Sequence, residues 1–230
     1  MPRTRRIAPD NYVHHVINRG NKRQDVFTET ADYEDFFRLL AKAMDYVPMR
    51  VLGVCVMRNH FHLVLWPARG VYLSAYMTWF MNAQIRRYQK RHGSTGLGHI
   101  YQGRYKNFVV QDDAHLYRVL RYVEANPVRA SLVACAQQYR WSSASRRYTP
   151  EGLEYLSEWP IVRPPNWLDY VNAGIGADEL SALRESTRRG TPFGSAGWTR
   201  WIAEEYGLQS TVTYRGRPRK KKTAAFSPFE

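Results

Sequence analysis

The sequence predicts an α+β fold, a mostly antiparallel sheet with helices segregated to its faces. Three observations point there. Extended and helical patterns alternate in the order β-α-β-β-α-β-α, two neighbouring apolar runs are split by one polar pair, and amphipathic stripes separate the extended segments.

Each element follows from local chemistry. After a basic arm, "YVHHVINRGN" alternates loosely and ends in Gly20-Asn21, a strand running into a turn. In "TADYEDFFRLLAKAMDYV", Phe36, Phe37, Leu40 and Met44 recur at helical spacing, with Thr30 as the expected N-cap. "MRVLGVCVM" and "HFHLVLWP" flank Arg58-Asn59 and read as a β-hairpin, and apolar residues at both parities predict that both its faces are covered. "VYLSAYMTWFMNAQIRRYQKRHG" is a second helix, closed by a basic turn and Gly93. "HIYQGRYKNFVVQ" reads as extended. The helix "AHLYRVLRYVEAN" carries the stripe Leu116, Val119, Leu120 and Val123, and Pro127 is expected to stop it. From about residue 149 the texture becomes loop-rich, with two further helices at "DELSALRESTRRG" and "GWTRWIAEEYGL". The chain therefore divides into a main domain over residues 1–148 and a helical, basic C-terminal extension over 149–230.

Composition narrows the function. The 230 residues carry a net charge of +14, which predicts a polyanionic partner, nucleic acid first. Two cysteines exclude a disulfide scaffold, and Cys55, inside an apolar run, reads as a small core residue. No apolar stretch approaches the roughly 20 residues of a membrane span, so a reducing, cytoplasmic setting is expected.

The chemistry concentrates in "RNHFHLVLWP". On a strand, His60 and His62 share a face about 7 Å apart, and two imidazoles so placed can meet one cation. The plain alternative is a pair of strand-end histidines hydrogen-bonded to neighbours. Further along, Tyr122 and Asn126 lie four residues apart on the flank of the helical stripe, where packing and a helix stop would account for them equally well.

Together, the H-x-H strand and "RYVEANPVRASLV", with "GHIYQGRYKNFVV" between them, resemble the single-tyrosine HUH transposases, most closely the REP-associated tyrosine transposases of bacteria. The likeness spans roughly residues 10–148. It implies a ferredoxin-like HUH endonuclease core. It further implies that Tyr122 is the nucleophile, that His60 and His62 bind a divalent cation, and that Asn126 stands in the place of the third ligand. An amide beside two imidazoles suits Mg²⁺ or Mn²⁺ better than a closed zinc site. The implied reaction is cleavage and rejoining of single-stranded DNA at hairpins, REP-like palindromes, through a 5′-phosphotyrosine, with the nucleoid as its place of work. No G-x-x-x-x-G-K-[ST] phosphate loop is present, consistent with chemistry that needs no ATP.

Arg104, Lys106, Arg118 and Arg121 are candidates for holding phosphates, with solvated surface charge as their ordinary alternative. "RGRPRKKK" places Arg215, Arg217, Arg219 and Lys220 in a run suited to an A·T-rich minor groove or to sequence-indifferent polybasic binding. Two other classes compete: a non-catalytic DNA-binding regulator that keeps the transposase fold, and a replication-initiator or relaxase-type HUH nuclease. Monomer and homodimer both remain open at this level.

Overall fold

A computed structural model of the chain describes residues 7–147 and 149–213. Four strands, β1 (Val13–Arg19), β2 (Arg50–Met57), β3 (His60–Trp66) and β4 (Lys106–Val110), form one antiparallel sheet in the order β2-β3-β1-β4. Helix α1 (Thr30–Tyr46) joins β1 to β2, α2 (Gly70–Arg91) joins β3 to β4, and α3 (Ala114–Glu124) follows β4. Element order and the two-residue β2–β3 turn are those the patterns predict.

The sheet is covered on both sides, which is why its strands are apolar at both parities. Phe61, Leu63 and Leu65 of β3 pack with Phe36, Leu40, Tyr76 and Phe80 of α1 and α2. Val64 of β3, with Leu52, Cys55 and Phe108, packs against Leu116, Val119, Leu120 and Val123 of α3. A register shift between Val51 and Gly53 lets β2 approach α3 closely, since a Cβ at Gly53 would stand 2.9 Å from Leu120 Cδ2.

Three local expectations are adjusted. Thr30 lies inside α1, and the exposed N–H groups of Thr28 and Glu29 are bonded by the Asp32 carboxylate at 3.0 and 3.1 Å. The extended segment before Gln111 is shorter than its apolar pattern, because β4 pairs with β1 only from Lys106 onward and Tyr101 makes an isolated bridge to Gly20. Pro127 does end α3, but it also opens a further helical turn, α4 (Asn126–Arg129), where its missing N–H costs nothing.

Beyond α4 come the short helices α5 (Ser143–Arg146), α6 (Pro150–Leu153) and α7 (Trp167–Asn172). The longer α8 (Ala177–Arg189) and α9 (Ala196–Glu205), then α10 (Gln209–Val212), follow. Trp159, Trp167, Val171, Leu183 and Phe193 join the cluster on the α3 side of the sheet. Phe193 also extends the sheet edge, donating to Val109 O at 2.8 Å and accepting from Gln111 N at 3.0 Å. Among the described residues no helix is long and apolar enough to cross a membrane.

Candidate active site

β1 and β3 lie side by side at the centre of the sheet, with Ile17 opposite His62 and Arg19 opposite His60. Strand alternation turns His60 and His62 toward α3, and Phe61 between them turns into the other core. The two imidazoles stand 5.1 Å apart, centroid to centroid, and nearly perpendicular at 82°. Each has its Nδ1 engaged. His60 Nδ1 lies 2.6 Å from Asn59 Oδ1, and His62 Nδ1 lies 2.8 Å from His15 Nε2.

His15 is a member of this site that the sequence reading missed. It sits on β1, fully buried, with its ring 5.0 Å from that of His62. "VHHV" within a buried strand was the available signal. Histidine face could be read from alternation, but only the strand order places β1 beside β3.

α3 supplies the third layer. Its apolar stripe seats it on β2, so Tyr122, on the flank, comes over β1 and β3. The Tyr122 ring is 5.6 Å from His62 at 88° and 6.1 Å from His15 at 72°. The side chain is only 6% exposed. Arg129 from α4 folds back so that its guanidinium carbon lies 4.3 Å from the Tyr122 ring centre, and its Nη1 donates to Tyr122 O at 3.1 Å. Burial holds the Arg129 pKa below the usual guanidinium value, an effect opposed by Tyr122. Arg129 too was missed: "NPVR" reads as a helix stop until the turn after Pro127 brings it round.

Electrostatics fix the protonation of the pair. Burial, helped by the charges of Arg19 and Arg129, lowers the His60 pKa to about 3. Burial also holds His62 well below its ordinary value, with His15 and His60 adding to the effect. Both imidazoles are therefore neutral at neutral pH and carry a lone pair. With Nδ1 committed in each, the Nε2 atoms are the nitrogens without a hydrogen-bond partner among the described residues. That is the pattern of metal-binding histidines, whose second nitrogen is oriented by a neighbour.

Two donors thus fit a divalent cation, and Asn126, four residues after Tyr122, is the candidate for a third. Among the described residues no group of three or more His, Cys, Asp or Glu side chains is arranged to hold a metal, so a cation on the two histidines would need an amide or water beside them. Asn126 is 6% exposed, and its Nδ2 has no partner among the described residues. The two ends of an amide have the same shape, so this buried, uncommitted end serves equally as an oxygen donor.

The basic candidates separate. Arg104 and Lys106 line a cleft beside β1, and Arg118 is exposed on α3. Arg121 is buried, ion-paired with Glu179 and stacked 4.1 Å over the Tyr170 ring, so it ties α3 to α7 and α8. Arg215, Arg217, Arg219 and Lys220 lie outside the described residues. Tyr101 and Tyr105, in the segment leading into β4, are buried.

Comparison with known proteins places these residues in a wider context. Residues 9–126, which include His60, His62, Tyr122 and Asn126, match the family model described as "Transposase IS200 like". A Haemophilus influenzae protein bearing the name REP-associated tyrosine transposase is 25% identical over 137 residues, 56% of this chain and 77% of that protein. A solved structure of a REP-associated tyrosine transposase bound to a REP hairpin aligns with 71% of this chain and 100% of its own, at 16% identity and a TM-score of 0.49.

Proposed function

The chain belongs to the family of IS200-like transposases, and on that premise we propose that it cleaves and rejoins single-stranded DNA at REP-like hairpins with Tyr122 as nucleophile. The observation that carries this reading is the packing of Tyr122 against His62, itself beside His60, and under the Arg129 guanidinium.

In the proposed step the Tyr122 oxygen attacks a backbone phosphorus, the P–O3′ bond breaks, and the phenolic proton ends on the departing 3′-hydroxyl. The product is a 5′-phosphotyrosine. Attack by a second 3′-hydroxyl reverses the step and frees Tyr122, so one phosphodiester is exchanged for another without ATP. Arg129 holds a positive charge beside the phenol, where it favours the negative charge that appears on the oxygen as the proton leaves. His15 and Asn59 orient His62 and His60. Mg²⁺ or Mn²⁺ held by His60, His62 and the Asn126 amide would supply charge neutralisation at the scissile phosphate. Burial of Tyr122 keeps bulk water from competing for the phosphotyrosine.

The test is a denaturing gel with an end-labelled hairpin oligonucleotide carrying single-stranded flanks. Wild-type protein with Mn²⁺ or Mg²⁺ gives an SDS-resistant shifted band, and Tyr122→Phe gives none while binding the DNA with unchanged affinity. A band retained in Tyr122→Phe, or no band from the wild type with either metal, would contradict the proposal.

A further inference from the structure

A cleft of about 610 Å³ opens beside the histidine pair, between the β1–β4 side of the sheet and α8. Six cations line it: Arg19 and Arg23 from the end of β1 and the turn after it, Arg104 and Lys106 at the start of β4, and Arg184 and Arg188 on α8. None of its lining residues is Asp or Glu. The nearest carboxylate on α8, Glu185, is held by Arg188 at 2.6 Å and by Arg189. Like charges so gathered repel one another, and an anion in the cleft relieves that repulsion.

The cleft adjoins the site already described through Arg19. Arg19 lies across the ladder from His60, and its Nε is buried without a partner among the described residues. At the other end Arg184 is near enough to Arg129, the cation over Tyr122, for its charge to be felt there. A path of positive charge thus runs from α8 to the proposed nucleophile. Its volume is that of a small-ligand site (about 300–1,000 Å³), which suits a short stretch of one strand.

We propose that this cleft binds the sugar-phosphate backbone of the single strand adjoining the scissile phosphate, so that α8 forms one wall of the DNA path. The assignment rests on the reading of the chain as a single-strand DNA transesterase, and it gives the segment after residue 149, outside the family match, a part in substrate binding. The Arg121–Glu179 ion pair ties α8 to α3, the helix that carries Tyr122.

The experiment compares two labelled oligonucleotides, a bare hairpin and the same hairpin with single-stranded flanks, by fluorescence anisotropy across a salt series. The full-length variant Arg184→Gln/Lys106→Gln removes one exposed charge from each wall, and Lys42→Gln, on exposed α1, is the control. The double variant is expected to bind the flanked hairpin about tenfold more weakly, with a log–log salt slope shallower by about 1.4, at roughly 0.7 per single-strand phosphate contact. Its affinity for the bare hairpin, and both properties of Lys42→Gln, should be unaltered. Equal weakening on both oligonucleotides would overturn the proposal in favour of stem or non-specific binding, as would an unchanged slope. Adduct formation by the wild type is scored separately. Its absence beside a flank-dependent loss removes the transesterase and keeps the cleft, whereas its presence beside an unchanged slope removes the cleft alone.

Discussion

His15 Nε2 and His62 Nδ1 lie 2.8 Å apart, so a single proton is shared between them, and where it resides decides what His62 can do. With the proton on His62 Nδ1, the Nε2 lone pair faces outward as a ligand. His15 must then carry its own proton on Nδ1, which is buried without a partner among the described residues. With the proton on His15 Nε2, the His62 lone pair is spent. On the proposed function, a cation bound by His62 would select the first arrangement, and His15 would act by positioning. His15→Ala is expected to weaken Mn²⁺ binding, read by calorimetry, about 10–100-fold, with partial rescue by His15→Gln, whose amide oxygen can still accept. Unchanged Mn²⁺ affinity beside a lowered melting temperature would reduce His15 to a packing role. At this scale the sequence revealed His60 and His62, because their spacing alone put them on one face. It concealed His15 and Arg129, because one depends on which strands are neighbours and the other on the turn after Pro127. Arg121 and Arg118 looked alike as charges three residues apart on one helix, yet only Arg118 faces solvent.

Helix α3 connects the site to the rest of the chain. Its last residue, Glu124, is fully buried and accepts from Ser143 Oγ at 2.5 Å and from Trp167 Nε1 at 2.7 Å. Ser143 Oγ in turn accepts from Val54 N at 3.1 Å, so one carboxylate joins α3, β2, α5 and α7. Glu124→Ala leaves two buried donors unsatisfied, each worth about 1–3 kcal/mol, and should lower the denaturation midpoint steeply. Glu124→Gln, which can still accept through its oxygen, should cost less. Equal and small losses in both variants would show that the extension does not depend on this contact. A second expectation concerns the approach of α3 to the sheet. Gly53→Ala drives a methyl to 2.9 Å from Leu120 Cδ2 and should destabilise by about 1–3 kcal/mol, measured by urea denaturation. The α3 stripe was legible because apolar periodicity records burial directly. The docking of the extension was not, because "VEAN" presents Glu124 as one more polar residue at a helix end, and its partners lie 19 and 43 residues away.

For the whole molecule, four buried or part-buried histidines make stability depend on pH. Burial lowers His14 to about 4 and His15 to about 3, and burial first, with nearby arginines, lowers His60 to about 3; His62 is lowered in the same sense. In the unfolded chain each takes up its proton near pH 6.5. Between about pH 6.5 and the folded values the unfolded state binds more protons, so stability is complete above that window and falls as the medium is acidified through it, by about 1.4 kcal/mol per pH unit for each group. The carboxylates Asp32 and Asp35, lowered from their ordinary values, add losses only at more acidic pH. Urea midpoints recorded from pH 7.5 to 5 should drop across that range, and a flat profile would contradict the burial of neutral imidazoles. The α+β class and the order of strands and helices were readable from the sequence because hydrophobic period reflects layering. How the basic charge is distributed was not: a net +14 announces a polyanion, while the division between a lined cleft, a buried ion pair and solvated surface is made only by folding. On the proposed function, the face joining β1, β3 and α3 is a phosphoryl-transfer site with Tyr122 as its nucleophile. Peptide mapping by mass spectrometry, after incubation with Mn²⁺ and a flanked hairpin oligonucleotide, tests it most directly. The expected result is a nucleotide phosphate attached to the peptide containing Tyr122, lost in His60→Ala/His62→Ala. A modified peptide elsewhere in the chain, or an adduct undiminished without the two histidines, would contradict it.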